Sequence, residues 1–188
     1  MQYNWDWGVI IREPYLEWII SGFGWTVSVS IAAWLLAFSL GSIIGIFRTT
    51  NNSILRAIAA VYVEIFRNIP LIVQMFLWYF VFPELLPNDA GMWVKREMPM
   101  PEFTTAAVCL GLYTASRVAE QVRSGIQSIG QGQNNAGLAT GLTTVQVYRY
   151  ILLPVGYRIM IPPLTSEFLT IFKNSSVALT IGVLEITA

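Results

Sequence analysis

The chain has 188 residues, of which 55% are hydrophobic and only 12% charged, about half the charged share usual in soluble proteins. Eleven Lys and Arg balance eleven Asp and Glu, so no basic field is available to hold nucleic acid. With no His and a single Cys, a His/Cys zinc site, a catalytic His and an internal disulfide are excluded.

So few charges on so much apolar surface point to lipid as the solvent, and to an all-α membrane protein. The first predicted span covers 18–47, thirty positions without a charge, longer than the roughly 30 Å hydrocarbon core requires. A cleaved signal peptide would need a basic start and a shorter run. Here Asp6, Glu13 and Glu17 come first, so a retained helix is expected. The second span, 57–81, holds Glu64 and Arg67, each costing about 2.5–3.5 kcal/mol if central. Its apolar residues roughly offset that cost, so these charges should face protein or a water-filled cavity. Pro70 predicts a kink. The third span, 103–122, carries Arg117 and Glu120; the fourth, 153–172, carries Arg158 and Glu167. The last apolar stretch, 177–184, is too short to cross, and the chain is expected to lack a further C-terminal helix.

Charge between the spans sets direction. The loops 48–56 and 123–152 hold four Arg and no acid, whereas 1–17 and 83–102 hold three basic residues beside seven acids. The basic loops belong in the cytoplasm, which puts the N-terminus outside.

The arm from 124 to 152 is the most patterned part of the chain. Gly130, Gly132 and Gly137 puncture its first half. Ala136, Leu138, Ala139 and Leu142 form a small-residue helical stretch, and Gly141 stands where a helix would end. Thr143 and Gln146 have the spacing of a capping box, and Val145, Tyr148 and Leu152 share one face of a second short helix. The pattern reads as a helix, a turn and a helix projecting to dock a soluble partner, with a helix lying flat on lipid as the other reading. A flat helix prefers basic residues on its polar face, where this arm has Gln131, Gln133, Asn134 and Asn135.

Here a resemblance becomes visible. Asn135-Ala136-Gly137, three residues, Gly141, nine residues, then Ile151-x-Leu153-Pro154 resembles the E-A-A-x3-G-x9-I-x-L-P loop of bacterial ABC importer permeases, with Asn135 and Gly137 departing from its first and third positions. Phe66-Arg67-Asn68-Ile69-Pro70-Leu71 is similar to the FRxxPL segment of the polar amino acid branch, and 119–125 to its AExxRxG segment. Residues 161–164 and 172–176 follow its LPPL and KxTS segments. The resemblance runs over about 18–186, nearly the whole chain.

It implies a type I ABC importer permease fold in one transmembrane domain, 1–188, with five spans in the full family chain and four here. It also implies a pair of permease subunits, identical or homologous, and a dimer of ATPase subunits that carries the ATP and Mg. An extracytoplasmic solute-binding protein would complete the assembly, in the inner membrane of a bacterium. The arm would be the coupling helix, meeting the ATPase through Asn135, Ala136, Gly137, Leu138, Gly141 and Leu142. The chain has no G-x4-G-K-[ST] loop, so it is not expected to be an enzyme.

Arg117 lies deeper than an interface residue should, and guanidinium suits a carboxylate. Glu167, beside Thr165 and Ser166, suits an ammonium group. Together they supply what an α-amino acid needs, or else Arg117 forms a structural ion pair with Glu120 or Glu167. The stretch 116–121 looks most like permeases for acidic amino acids, so glutamate or aspartate is the expected cargo. Glu64 and Arg67 sit at i,i+3 and can pair on one helix face, in a structural or a functional role, while Glu120 reads as structural or gating. The competing functional class is a secondary amino acid transporter driven by an ion gradient. Such proteins show an internal repeat, and none is visible here.

Overall fold

The computed structural model describes residues 6–129 and 131–188, so Gly130 of the arm lies outside the described residues. Among these, every regular element is helical: α1 Tyr15–Phe47, α2 Ser53–Asn68, α3 Leu71–Phe76, α4 Phe82–Leu85, α5 Asn88–Met92, α6 Pro101–Gln127, α7 Gln131–Ala139, α8 Thr144–Val147 and α9 Leu153–Asn174. Wide π turns follow α3, α5 and α8, at Leu77–Val81, Trp93–Glu97 and Tyr148–Leu152. Short 3-10 turns lie at Trp7–Ile11 and Ser175–Ile181.

The architecture rests on α1 against α6. Between lipid-soluble helices the hydrophobic effect offers no drive, so close backbone approach and polar contacts must supply the packing energy. Accordingly α1 buries small residues at every fourth position, Ala33, Ala37, Gly41 and Gly45. A Cβ built on Gly41 would stand 2.7 Å from the Ala115 carbonyl oxygen, and one on Gly45 2.6 Å from the Val122 Cβ. Only glycine permits this seam. On its other side α6 receives α9, where Met160 fills the space above Gly125. Tyr157 of α9 donates to Ser42 Oγ at 2.7 Å, and Phe168 stacks edge-on against Trp34.

The hydrophobic runs place α1, α6 and α9 correctly, and α1 is long and apolar enough to cross a membrane by itself. At 1.5 Å per residue α6 and α9 reach about 40 and 33 Å; Arg117, Glu120 and Glu167 turn toward protein partners, while Arg158 and Lys173 are exposed. The second predicted span needs correction. Pro70 has no N–H and forces the preceding Ile69 out of the helical region, to φ −91°, ψ 127°. The axis turns by 103° between Ser53–Asn68 and Leu71–Leu85, so 57–81 is two segments nearly at right angles rather than one kinked rod.

A break of this kind leaves helix-end carbonyls without partners inside the protein. Gln74 restores them. Its side chain is buried, and its Nε2 donates to the Phe66 and Ile69 carbonyls at 2.8 and 2.9 Å. The residues beyond the bend then join one core with α1, α6 and the final turns, through Leu71, Met75, Leu110, Ala178 and Ile181.

Candidate functional site

Where α2, α6 and α9 meet, a cleft of about 280 Å³ is lined by Arg67, Tyr113, Arg117, Glu120, Gln121 and Glu167. The spacing of Tyr113, Arg117, Glu120 and Gln121 puts them along adjoining faces of one helix, and α9 contributes Glu167 opposite. Arg117 Nε donates to Glu167 Oε1 at 3.2 Å, and Nη1 donates to the Tyr113 hydroxyl at 3.1 Å. The guanidinium also lies 5.8 Å from the Tyr113 ring centre, within cation–π range. The Glu167 side chain is 13% exposed and that of Arg117 41%. Arg117 therefore presents donors to the cleft while its orientation is held from two sides.

Glu120 forms the adjoining wall. Its Oε2 accepts from Arg123 Nη2 and Nε at 2.9 and 3.2 Å, Arg67 Nη1 stands 3.9 Å away, and Arg48 closes the ion pair on Oε1. Burial, then the like charge of Arg123, lowers the Arg48 pKa from its ordinary value. Four guanidiniums thus converge on the two carboxylates of Glu120 and Glu167, but only Arg67 and Arg117 line the cleft beside them, so its wall offers both signs of charge in equal number.

The structure brings Arg117 and Glu167 together but leaves Thr165 and Ser166 outside the lining. Both are exposed and turn their hydroxyls back onto their own helix, to the Ile161 carbonyl at 2.8 Å and the Pro162 carbonyl at 3.3 Å. The Glu64–Arg67 pairing also needs correction: Arg67 turns to Glu120, and Glu64 is exposed. Tyr113 and Gln121 are lining residues that charge counting missed. The i,i+4 spacing of Tyr113 and Arg117 was the available signal.

The arm forms a compact hairpin. Gly141 takes φ +88°. Its N–H donates to the Leu138 carbonyl at 3.0 Å, and that of Leu142 to Gly137 at 3.2 Å, the two bonds of a Schellman ending. Thr143 and Gln146 form the reciprocal box that opens α8, the Thr143 N–H donating to Gln146 Oε1 at 2.8 Å. Asn135, Ala136, Leu138 and Gly141 are exposed, Leu142 is half-buried, and Gly137 is buried. A Cβ on Gly137 would meet Ile151 Cδ1 at 2.8 Å and Val147 Cγ2 at 3.0 Å, so its smallness serves the hairpin's own closure. The predicted inner face of α8 is corrected as well. Val147 is buried and Val145 exposed, because the wide turn at Tyr148–Leu152 rotates the register before Leu152.

A solved amino acid ABC transporter superposes over 98% of this chain and 80% of its own, with a TM-score of 0.79 and 26% identity. An inward-facing MetNI methionine ABC transporter covers 92% of this chain with a TM-score of 0.74 at 22% identity, a likeness of fold alone. The molecule is thus built as an ABC importer permease of the type I fold. Residues 37–185 match the family model described as binding-protein-dependent transport system inner membrane component, and the chain belongs to that family. The glutamate/aspartate import permease protein GltJ of Escherichia coli K12 is 50% identical over all of this chain and 80% of its own length. GltK, a glutamate/aspartate import permease protein of Escherichia coli O157:H7, is 30% identical over 93% of this chain and 75% of its own.

Proposed function

We propose that the chain is a permease subunit of an ATP-driven importer for acidic amino acids, glutamate or aspartate, with the cleft on α6 as its cargo contact. The observation that carries this reading is the Arg117–Glu167 pair, a cation and an anion 3.2 Å apart on the wall of a cleft lined by two guanidiniums and two carboxylates. An acidic amino acid brings two carboxylates and one ammonium. A carboxylate replacing Glu167 at Arg117 releases Glu167 to take the ammonium, so the resting pair keeps both groups neutralised until cargo arrives. Four spans with the N-terminus outside place the arm in the cytoplasm. There the ridge of Asn135, Ala136, Leu138 and Gly141 meets an ATPase dimer that binds ATP and Mg. Gly137 and Leu142 shape that ridge from beneath. A second permease subunit, GltK-like or identical, and an extracytoplasmic solute-binding protein complete the assembly.

Only contacts that differ between inward-open and outward-open states can drive transport, and an arm seated on a closing ATPase dimer supplies them. The test is ATP-driven, binding-protein-dependent uptake of labelled glutamate in proteoliposomes, with wild type beside Arg117→Ala. Charged hydrogen bonds contribute about 1.5–3 kcal/mol, so uptake at sub-saturating cargo should fall by roughly 10- to 100-fold while ATPase assembly persists. Unchanged uptake in Arg117→Ala would make that guanidinium purely structural. Uptake that persists without the ATPase would instead favour an ion-gradient transporter.

A further inference from the structure

Two sets of contacts far apart in sequence meet at the cytoplasmic end of α1. The Tyr148 hydroxyl, at the base of the arm, donates to the Thr49 carbonyl at 2.8 Å and also lies 3.1 Å from Thr49 Oγ1. The neighbouring residue, Arg48, forms an ion pair with Glu120. Glu120 itself lines the cleft, one residue before Gln121 and one turn after Arg117. The same carboxylate holds Arg123 of its own helix and faces Arg67 at the end of α2. Arg48 and Glu120 are only 17% and 20% exposed at their side chains, so neither charge is well solvated without the other.

We infer that Glu120 is a positioning residue for transport, the clasp through which displacement of the arm reaches the cargo cleft. The route is short and made of directional contacts: Tyr148 to Thr49, Arg48 to Glu120, and Glu120 to the cleft wall on α6. When the arm moves, the α1–α2 loop moves with it. The Arg48 guanidinium then shifts on a carboxylate that it shares with Arg67 and Arg123. Moving charge on Glu120 changes the field around Arg117 without any change in the cargo's own contacts. A carboxylate held by three guanidiniums from three segments has alternative partners available, which is what a two-position clasp requires.

The inference rests on the importer reading proposed above, and the test separates the two. In the complete importer, cargo moved per ATP hydrolysed is measured for wild type, Glu120→Gln, Tyr148→Phe and the double variant. Tyr148→Phe removes one hydroxyl and keeps the ring, so it stays informative if Glu120→Gln assembles poorly. The ratio is expected to fall by about fivefold or more in Glu120→Gln and about twofold in Tyr148→Phe. In the double variant it should fall no further than in Glu120→Gln, because both substitutions cut one route. Losses that multiply would overturn the shared route. A ratio unchanged in both single variants, with uptake and hydrolysis declining together, would make the clasp purely structural and overturn the proposal. Absence of ATP-dependent uptake in the wild type would overturn the importer reading, and this inference with it.

Discussion

Replacing Gly45 by Ala adds one methyl group to α1, at a point where α1 and α6 touch through their backbones. The new Cβ would stand 2.6 Å from Val122 Cβ and 2.8 Å from the Ala119 carbonyl oxygen. A Val side chain has no other well-populated place to go, and a helical carbonyl moves only with its helix, so the helices must separate. Overpacking of this kind costs about 1–3 kcal/mol, to be set against the gain of up to about 1 kcal/mol that Ala brings over Gly in a helix. Gly24 on the same helix supplies the control, because nothing lies within 4 Å of its Cβ position. Thermal unfolding in one detergent, followed by intrinsic Trp fluorescence, should show Gly45→Ala well below wild type and Gly24→Ala at or above it. Equal midpoints for the two variants would refute the argument that the seam depends on glycine.

Other expected outcomes follow from the bend and the arm. Gln74→Leu leaves the Phe66 and Ile69 carbonyls without their amide donor, and unfolding stability should drop by about 2 kcal/mol on the same fluorescence scale. Gly141→Ala puts a side chain at φ +88°, a left-handed position that costs about 1–2 kcal/mol for other residues. Nothing crowds its Cβ, so the loss should show as weaker ATPase binding in a pull-down from detergent and leave the spans' unfolding midpoint unmoved.

Much of this molecule was legible in the sequence because its signals are local. Uncharged runs mark α1 and the first half of α6, sparse charges in an apolar stretch mark α9, and the turn between α7 and α8 follows from Gly141, Thr143 and Gln146 within a few residues. The Arg117–Glu167 pair was among the readings that the sequence left open, beside a pair with Glu120 and a direct cargo contact, since charges in neighbouring spans must find partners. What escaped depends on geometry between elements. Pro70 announces a break, but a bend of 103° exists because Gln74 patches the broken end, which no propensity encodes. The Glu64–Arg67 pairing yielded to Glu120, which offers Arg67 a less exposed partner from another helix. The inner face of α8 was misjudged because period counting assumes 3.6 residues per turn, and Tyr148–Leu152 is wound more widely.

The hairpin that joins α7 to α8 has a consequence of its own. Its shaping hydrogen bonds run from Gly141 to Leu138, Leu142 to Gly137 and between Thr143 and Gln146, none spanning more than five residues. The hydrogen-bonded turn is therefore specified inside the segment, while Val147 and Tyr148 seat it against α6, α9 and the end of α1. Such a piece behaves as an interchangeable part. Exchanged between related permeases with its Ile151 and Val147 supports, it would keep its outline in the new host, and under the coupling role proposed above it would bring its choice of ATPase with it.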